Sequence, residues 1–413
     1  MNINKHQWAI KSIIGGLGVA MILWGCGEEN AVTEPKQTLP VLMAKQLEDT
    51  LKNSGIGYAF TIYEGTKIMA QGSGGLKSTV NDAGGQKAFT VDTKLHIASM
   101  SKTLTAMAFL KAAQQKGLRT TNKIANYLPS NWPKGAGIDQ ITFGDLLTHQ
   151  SGIRGLGNNC QNGAFSENVY SGLKQLIGKG ASRGSYCYQN ANFGLFRVLI
   201  PSIMGYQFTG DDNVDDTETQ KLYLSFLQKE LFEKINLQNV SPFPTGEITY
   251  TYNYPLTASQ SGWNPGNFSA TMGGYGLYLT AAEAGSVYAS ALSSTDNTVL
   301  SPALADSLLI KNLGSYKATS SAGTYYYHDG WWYEYLGQNG RGLRTIWMKF
   351  PQNITCVLFV NALRYQNGSL GFPFNSGSIL IFVYNAYTKA IQAKNLRQSA
   401  EVPPLRVEHP EPH

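Results

Sequence analysis

The chain has 413 residues, 42% of them hydrophobic and 15% charged, with a formal net charge of +6 and a pI near 8.9. That length and apolar content suit one large or two medium globular domains and exclude a chain dominated by disorder. The charge excess is modest and no run of Lys and Arg interleaves with aromatics, which argues against nucleic acid as a partner.

Lys5 and Lys11 precede an apolar run from Ile13 to Trp24, and the run ends in Leu23-Trp24-Gly25-Cys26. Residues 1–25 resemble a bacterial lipoprotein signal peptide, with Cys26 as the lipidated first residue of the mature chain. A short anchor or an ordinary cleaved signal is the alternative, although the run is too short to span a bilayer comfortably. Residues 26–38 are polar and Pro-containing, as expected of a tether. The address predicts a chain in the bacterial cell envelope, lipid-anchored to a membrane and facing the periplasm or exterior.

In that oxidising setting Cys160 and Cys187, both in Gly/Asn/Ser-rich loops, are expected to form a disulfide rather than remain free thiols. Cys356 lies in the apolar run Ile354 to Val360 and is expected to be a buried free thiol. None of the six histidines, His6, His96, His149, His328, His409 and His413, sits at ligand spacing from another His or a Cys, so neither a metal site nor a cofactor is predicted.

Leu39 to Asn53 has helical periodicity, and Ile56 to Gly75 reads as two strands turning at Gly65. Next comes an amphipathic core helix, with Leu104, Met107, Leu110 and Ala113 on one stripe, opened by Ser99 and Ser101 and closed by Gly117. From Thr120 to about Phe268 the chain breaks into short helical pieces separated by Gly/Asn/Pro loops: Thr142 to Thr148, Glu167 to Ile177, Asn192 to Met204 and Glu218 to Ile235. A helix follows over Ala281 to Leu292. Three strands are then predicted, Thr324 to Tyr335, Leu343 to Phe350 and Ile354 to Ala362, with turns at Gly337 to Gly342 and Pro351 to Asn353. A last helix over about Ser376 to Lys394 is expected to pack beside the first. The pattern predicts an α/β (α+β) fold with an antiparallel sheet flanked by helices. Residues 39–119 and 269–395 form the α/β domain, 120–268 an inserted all-helical subdomain and 396–413 a flexible Pro-rich tail.

Ser99 and Lys102 stand three apart at the start of the core helix, which places a nucleophile beside a candidate base. Ser-x-x-Lys alone is weak, since roughly one or two chance matches are expected in a chain this long. Ser171-Gly172-Leu173-Lys174 is one, and Tyr365-Gln366-Asn367 repeats the pattern of Tyr188-Gln189-Asn190. Order and context distinguish Ser99. His96-Ile97-Ala98-Ser99-Met100-Ser101-Lys102, then Leu146-Leu147-Thr148-His149-Gln150-Ser151-Gly152, then Tyr188-Gln189-Asn190, then His328-Asp329-Gly330 resemble the ordered motifs of the class C β-lactamase-related serine hydrolases. That family includes D-Ala-D-Ala peptidases, D-aminopeptidases and esterases. The resemblance spans about Leu39 to Lys394 and implies a β-lactamase/transpeptidase-like fold.

The resemblance implies that Ser99 is acylated, that Lys102 helps to deprotonate it, that Tyr188 carries a second proton and that Asn190 donates to the substrate amide. Clustered together, Lys102 and Tyr188 are expected to lower each other's pKa. His149 reads as structural, and Gly273-Gly274 as a turn of close backbone approach. His328 and Gly330 are expected at the substrate, His328 with partial charge near neutral pH, and the Trp331 N–H as an oxyanion donor. Gln338-Asn339-Gly340 is the alternative third motif. Asp329 stands where lactamases carry a hydroxyl, so it should repel a substrate carboxylate unless Arg341 or Arg344 neutralises it. The implied activity is hydrolysis of a small-molecule or peptide amide or ester through a Ser99 acyl-enzyme, more peptidase- or esterase-like than an efficient β-lactamase. The alternative is a non-catalytic penicillin-binding-like or scaffold protein that keeps the fold.

Overall fold

The computed structural model describes residues 38–160, 164–337 and 339–394, together with the backbone of 406–407. The signal peptide, Cys26, all but the last residue of the tether and most of the tail lie outside the described residues. Among the described residues no helix is long and apolar enough to cross a membrane.

Helix α1 (Leu39–Leu51) leads into the hairpin β1 (Tyr58–Glu64) and β2 (Lys67–Gly74), as its pattern and Gly65 predict. Short strands β3 (Leu76–Ser78), β4 (Lys87–Ala88) and β5 (Leu95–His96) precede α2 (Ser101–Lys116), which Gly117 closes in the left-handed conformation. The helical stretch holds α3 (Phe143–Leu147), α4 (Tyr170–Lys179), α5 (Asn190–Gly194), α6 (Phe196–Met204) and α7 (Asp212–Leu227), the last continued by π and 3₁₀ turns to Ile235. This stretch is not wholly helical. Strand β6 (Tyr252–Asn253) pairs with the main sheet at Gly342 and Ala362, a contact too short to leave a period-2 pattern.

Strand β7 (Tyr278–Leu279) pairs with β5, and α8 (Ala281–Ala291) follows behind a Thr280/Glu283 capping box. Helix α9 (Pro302–Ile310) and strand β8 (Tyr316–Ser320) were not anticipated from the sequence. Strands β9 (Gly323–Leu336), β10 (Asn339–Phe350) and β11 (Ile354–Val360) match the aromatic, β-branched runs, with a tighter first turn than expected. After β12 (Ala362–Gln366) and β13 (Ser369–Gly371), α10 (Ile379–Lys394) packs beside α1. The tail is not wholly detached: β14 (Arg406–Val407) pairs with β8 at Ala318 and Thr319.

The main sheet runs β13-β12-β6-β10-β11-β1-β2, with β9 on β10, β8 on β9 and β14 on β8. Its two faces carry separate cores. Val357 and Phe359 of β11 and Trp347 of β10 join the core around α2 and α8, whereas Cys356, Leu358, Ile346 and Met348 join the one beneath α1 and α10. Alternate side chains point to opposite faces, so burial on both sides turns β11 into a continuous apolar run. Cys356 is a free, fully buried thiol, as expected. Strand β8 pairs with β9 only as far as Tyr327, and beyond it Gly330 of β9 packs against the Ile97–Ala98 turn.

Candidate active site

Ser99 lies not inside α2 but in a 3₁₀ turn, Ala98–Met100, that feeds it. Neither Ser99 nor Ser101 caps the helix with its side chain, which corrects the predicted opening. The helix is also buried all round from Ser101 to Leu110 rather than along one stripe, because helices enclose it on the side away from the sheet. Ala98 has φ 47°, a left-handed conformation uncommon for a residue with a Cβ, so the turn before Ser99 is strained. Backbone and side-chain bonds hold it there. Ile97 N–H donates to Leu277 O at 2.9 Å, Thr345 Oγ1 donates to Ile97 O at 2.8 Å, and Tyr288 OH donates to Met100 O at 2.8 Å.

Lys102 Nζ donates to Ser99 Oγ at 2.8 Å, Asn190 Oδ1 at 2.6 Å and Gly274 O at 2.9 Å. Its side chain has no solvent contact, and burial holds its pKa well below the ordinary lysine value, opposed by the nearby Asp329 carboxylate. Three donated bonds describe the ammonium; a lysine held below its ordinary value can give up one of those protons, and the freed lone pair then faces the Ser99 hydroxyl. Tyr188 OH donates to the same Ser99 Oγ at 3.0 Å. Burial pushes its pKa up, and the hydrogen bond with Ser99 offsets only part of that, so the lowering expected of Tyr188 is not found. The Tyr188 phenol therefore stays protonated at neutral pH.

The residues around Tyr188 explain the 146–153 string. Thr142 and Asp145 cap α3 reciprocally, and the helix ends at His149 with φ 56°. His149 accepts the Gln189 N–H on Nδ1 at 3.2 Å, its carbonyl takes the Cys187 N–H at 2.8 Å, and its ring lies 4.4 Å from that of Tyr188. It positions Tyr188, in keeping with its structural reading. Cys187 is bonded to Cys160, as expected, which ties the residue before Tyr188 to the preceding loop. The Gly273-Gly274 turn is a close approach too, since a Cβ on Gly273 would meet Phe193 O at 2.3 Å. Sequence reasoning missed that the Gly274 carbonyl anchors Lys102, because a carbonyl carries no side-chain signature.

On β9, Gly330 sits against the turn that carries Ser99. A Cβ there would lie 2.4 Å from Ile97 O and from Thr345 Oγ1. Asn339 and Gly340 instead form the far end of the hairpin, Gly340 against Leu370, so the His328 to Gly330 segment is the one beside Ser99. Trp331 follows Gly330 on β9, half-buried and paired with Arg344 of β10. His328 departs from expectation. It is 1% exposed, its Nδ1 lies 2.6 Å from Asp329 O, and burial takes its pKa down to about 3, so it is neutral at neutral pH. It lines a small cavity with Tyr186 and Tyr316 and lies within electrostatic range of Lys102. Asp329 is paired with Arg344, Oδ2 to Nη2 at 2.6 Å, while Arg341 pairs with Glu334. The chance matches separate cleanly: Ser171 is exposed and Lys174 pairs with Asp212.

A family model described as Beta-lactamase matches residues 43–371. A β-lactamase/D-alanine carboxypeptidase from Yersinia pestis aligns with TM-score 0.59 and 16% identity, covering 86% of this chain and 99% of its own. A D-amino acid amidase from Ochrobactrum anthropi SV3 aligns with TM-score 0.61 and 14% identity, covering 87% and 99%. These show the shared fold. A Bacillus subtilis strain 168 relative, provisionally named penicillin-binding protein PbpX, is 30% identical over 113 residues, so the match spans about a quarter of either chain, 27%.

Proposed function

The chain belongs to the β-lactamase family, and on that premise we propose that it hydrolyses a neutral amide or ester through an acyl-enzyme on Ser99. The observation that carries this reading is Ser99 Oγ bonded at once to a desolvated Lys102 and to a protonated Tyr188. Neutral Lys102 takes the Oγ proton as Oγ attacks the carbonyl, and the Trp331 and Ser99 N–H groups are assigned to the developing oxyanion. Tyr188 gives its proton to the leaving nitrogen or oxygen and recovers one from the Lys102 ammonium. Water then attacks the acyl carbon and loses a proton to Lys102, and that proton passes to Ser99 Oγ as the C–Oγ bond breaks and the acid leaves.

The choice of a neutral substrate rests on Asp329 and Arg344. The guanidinium that would meet a substrate carboxylate is committed to Asp329, so a β-lactam or peptide acid finds a carboxylate already in its place. Intact-mass analysis of wild type and Ser99→Ala with a fluorophosphonate, a penicillin and a p-nitrophenyl ester tests both parts. Wild type should be labelled by the fluorophosphonate and turn over the ester faster than the penicillin, and Ser99→Ala should do neither. Labelling of Ser99→Ala would place the nucleophile elsewhere, and no adduct on wild type would leave a non-catalytic binding protein. Lipidation at Cys26, part of the same proposal, should appear in the mass of protein taken from its native membrane.

A further inference from the structure

Behind the catalytic residues lies a cavity of about 190 Å³ that the proposed reaction does not use. Lys311, Asn312, Ser315, Tyr186, Tyr316 and His328 are among its lining residues, and the described residues that line it include neither Asp nor Glu. Ser315 is only 3% exposed, yet its Oγ has no hydrogen-bond partner among the described residues. A buried hydroxyl without a partner is costly, and such groups mark places where a further molecule belongs. The Asn312 Oδ1 is likewise unpartnered, and a half-turn about the Cβ–Cγ bond presents its NH₂ instead. The Tyr186 and Tyr316 hydroxyls lie 3.3 Å apart at the same cavity, and the Lys311 ammonium is the cation at its exposed side. Hydroxyl donors and one cation without an acid define a pocket for a small anion.

We propose that this pocket binds a small oxyanion, a monocarboxylate or inorganic phosphate, and that the bound anion slows the hydrolase by holding a proton on Lys102. This rests on the reading of Lys102 as the base. The route between them is short. His328 forms a wall of the pocket and lies within electrostatic range of Lys102, and Gly314, beside Ser315, packs against the Lys102 carbonyl. The groups that face Lys102 are Ser99 on its own turn, Tyr188 and Asn190 at α5, and His328 and Asp329 on β9, with Arg344 behind Asp329. An added negative charge behind His328 favours the ammonium form, as Asp329 does, and the ammonium cannot deprotonate Ser99. A carboxylate inhibitor would have the chemistry of the enzyme's own acid product, and phosphate would be an external signal.

The test uses the whole protein with sodium acetate, phosphate or chloride at fixed ionic strength, so that screening is constant. Acetate, phosphate or both should raise Tm in a saturable manner and chloride should not. The effective anion should lower kcat for a p-nitrophenyl ester without competing for substrate, by about threefold or more at neutral pH and less as pH rises, since that fall needs a Lys102 pKa shift of about half a unit or more. Lys311→Ala and Ser315→Ala, each made separately, should lose both the Tm rise and the inhibition. An acetate response alone identifies product-like carboxylates as the ligand, and a phosphate response alone identifies inorganic phosphate. Competition with substrate, equal effects of chloride, no response to either anion, or full sensitivity in both variants would overturn the proposal. Absence of fluorophosphonate labelling would instead remove the hydrolase reading, while the Tm series still decides whether the pocket binds an anion.

Discussion

Lys102 gives up hydration for three oxygen partners, and its charge state sets what the site can do. The unfolded chain keeps the lysine proton up to its ordinary value of 10.5, whereas the folded chain releases it well below that. Between those values the unfolded state binds more protons, so this residue makes stability rise with pH and penalises the fold at lower pH. Lys102→Met should therefore flatten part of that rise, read as the wild-type minus variant difference in denaturant midpoints across the alkaline range. The same substitution should cut kcat by roughly 10²–10⁴ and abolish the acid limb of the pH–rate profile. Tyr188→Phe should lose rate but keep that limb in place, because its hydroxyl stays protonated. A limb that moves in Tyr188→Phe and not in Lys102→Met would reverse the two roles. Residue types and their order disclosed the participants. Their protonation states were not legible, since desolvation depends on what covers Lys102 and Tyr188 in three dimensions.

The edge of β9 and the nucleophile turn are fitted to one another through Gly330. Its neighbours on the far side are a backbone carbonyl, Ile97 O, and the Thr345 hydroxyl already bonded to it. A methyl group at 2.4 Å cannot be absorbed by a rotamer change alone, so Gly330→Ala should push the strand from the turn. The expected cost is about 1–3 kcal/mol of stability, read as a lower denaturant midpoint. Moving an oxyanion donor by a fraction of an ångström should also lower kcat/KM roughly 10²-fold. Unchanged ester hydrolysis with the stability loss would show that the strand positions nothing at the reacting carbonyl. The hairpin of β9 and β10 was readable from alternating aromatic and β-branched residues. Thr345 as the clamp was not, because a threonine in a strand carries no sign of what it bonds across the fold. His328 was misread for a related reason: position on a strand fixes its neighbours in sequence, not the depth at which it is buried.

For the molecule as a whole, the sheet with its two cores makes the helical stretch and the α/β part mutually dependent. Helix α2 is surrounded by residues from both, with Phe109 against Phe143 and Phe196 on one side and Trp347 Nε1 bonded to Thr103 on the other. The segment from 120 to 268 also returns to the sheet through β6, and Tyr252 reaches Asp82, whose carboxylate takes the Thr79 and Gly262 N–H groups as well. The sequence shows the change to short helical pieces there and so suggests an inserted unit. It does not show the return, because two residues of strand and one tyrosine hydroxyl leave no periodic trace. Replacing residues 120–268 by a short linker would expose the buried face of α2 and leave Lys102 without its Asn190 partner. The excised protein should lack a cooperative unfolding transition, whereas the full chain should show coincident denaturant midpoints by tryptophan fluorescence and far-UV circular dichroism. Two separated midpoints in the full chain, or a cooperatively folded excised form, would establish the helical stretch as an independent unit and detach the support of Tyr188 from that of Ser99.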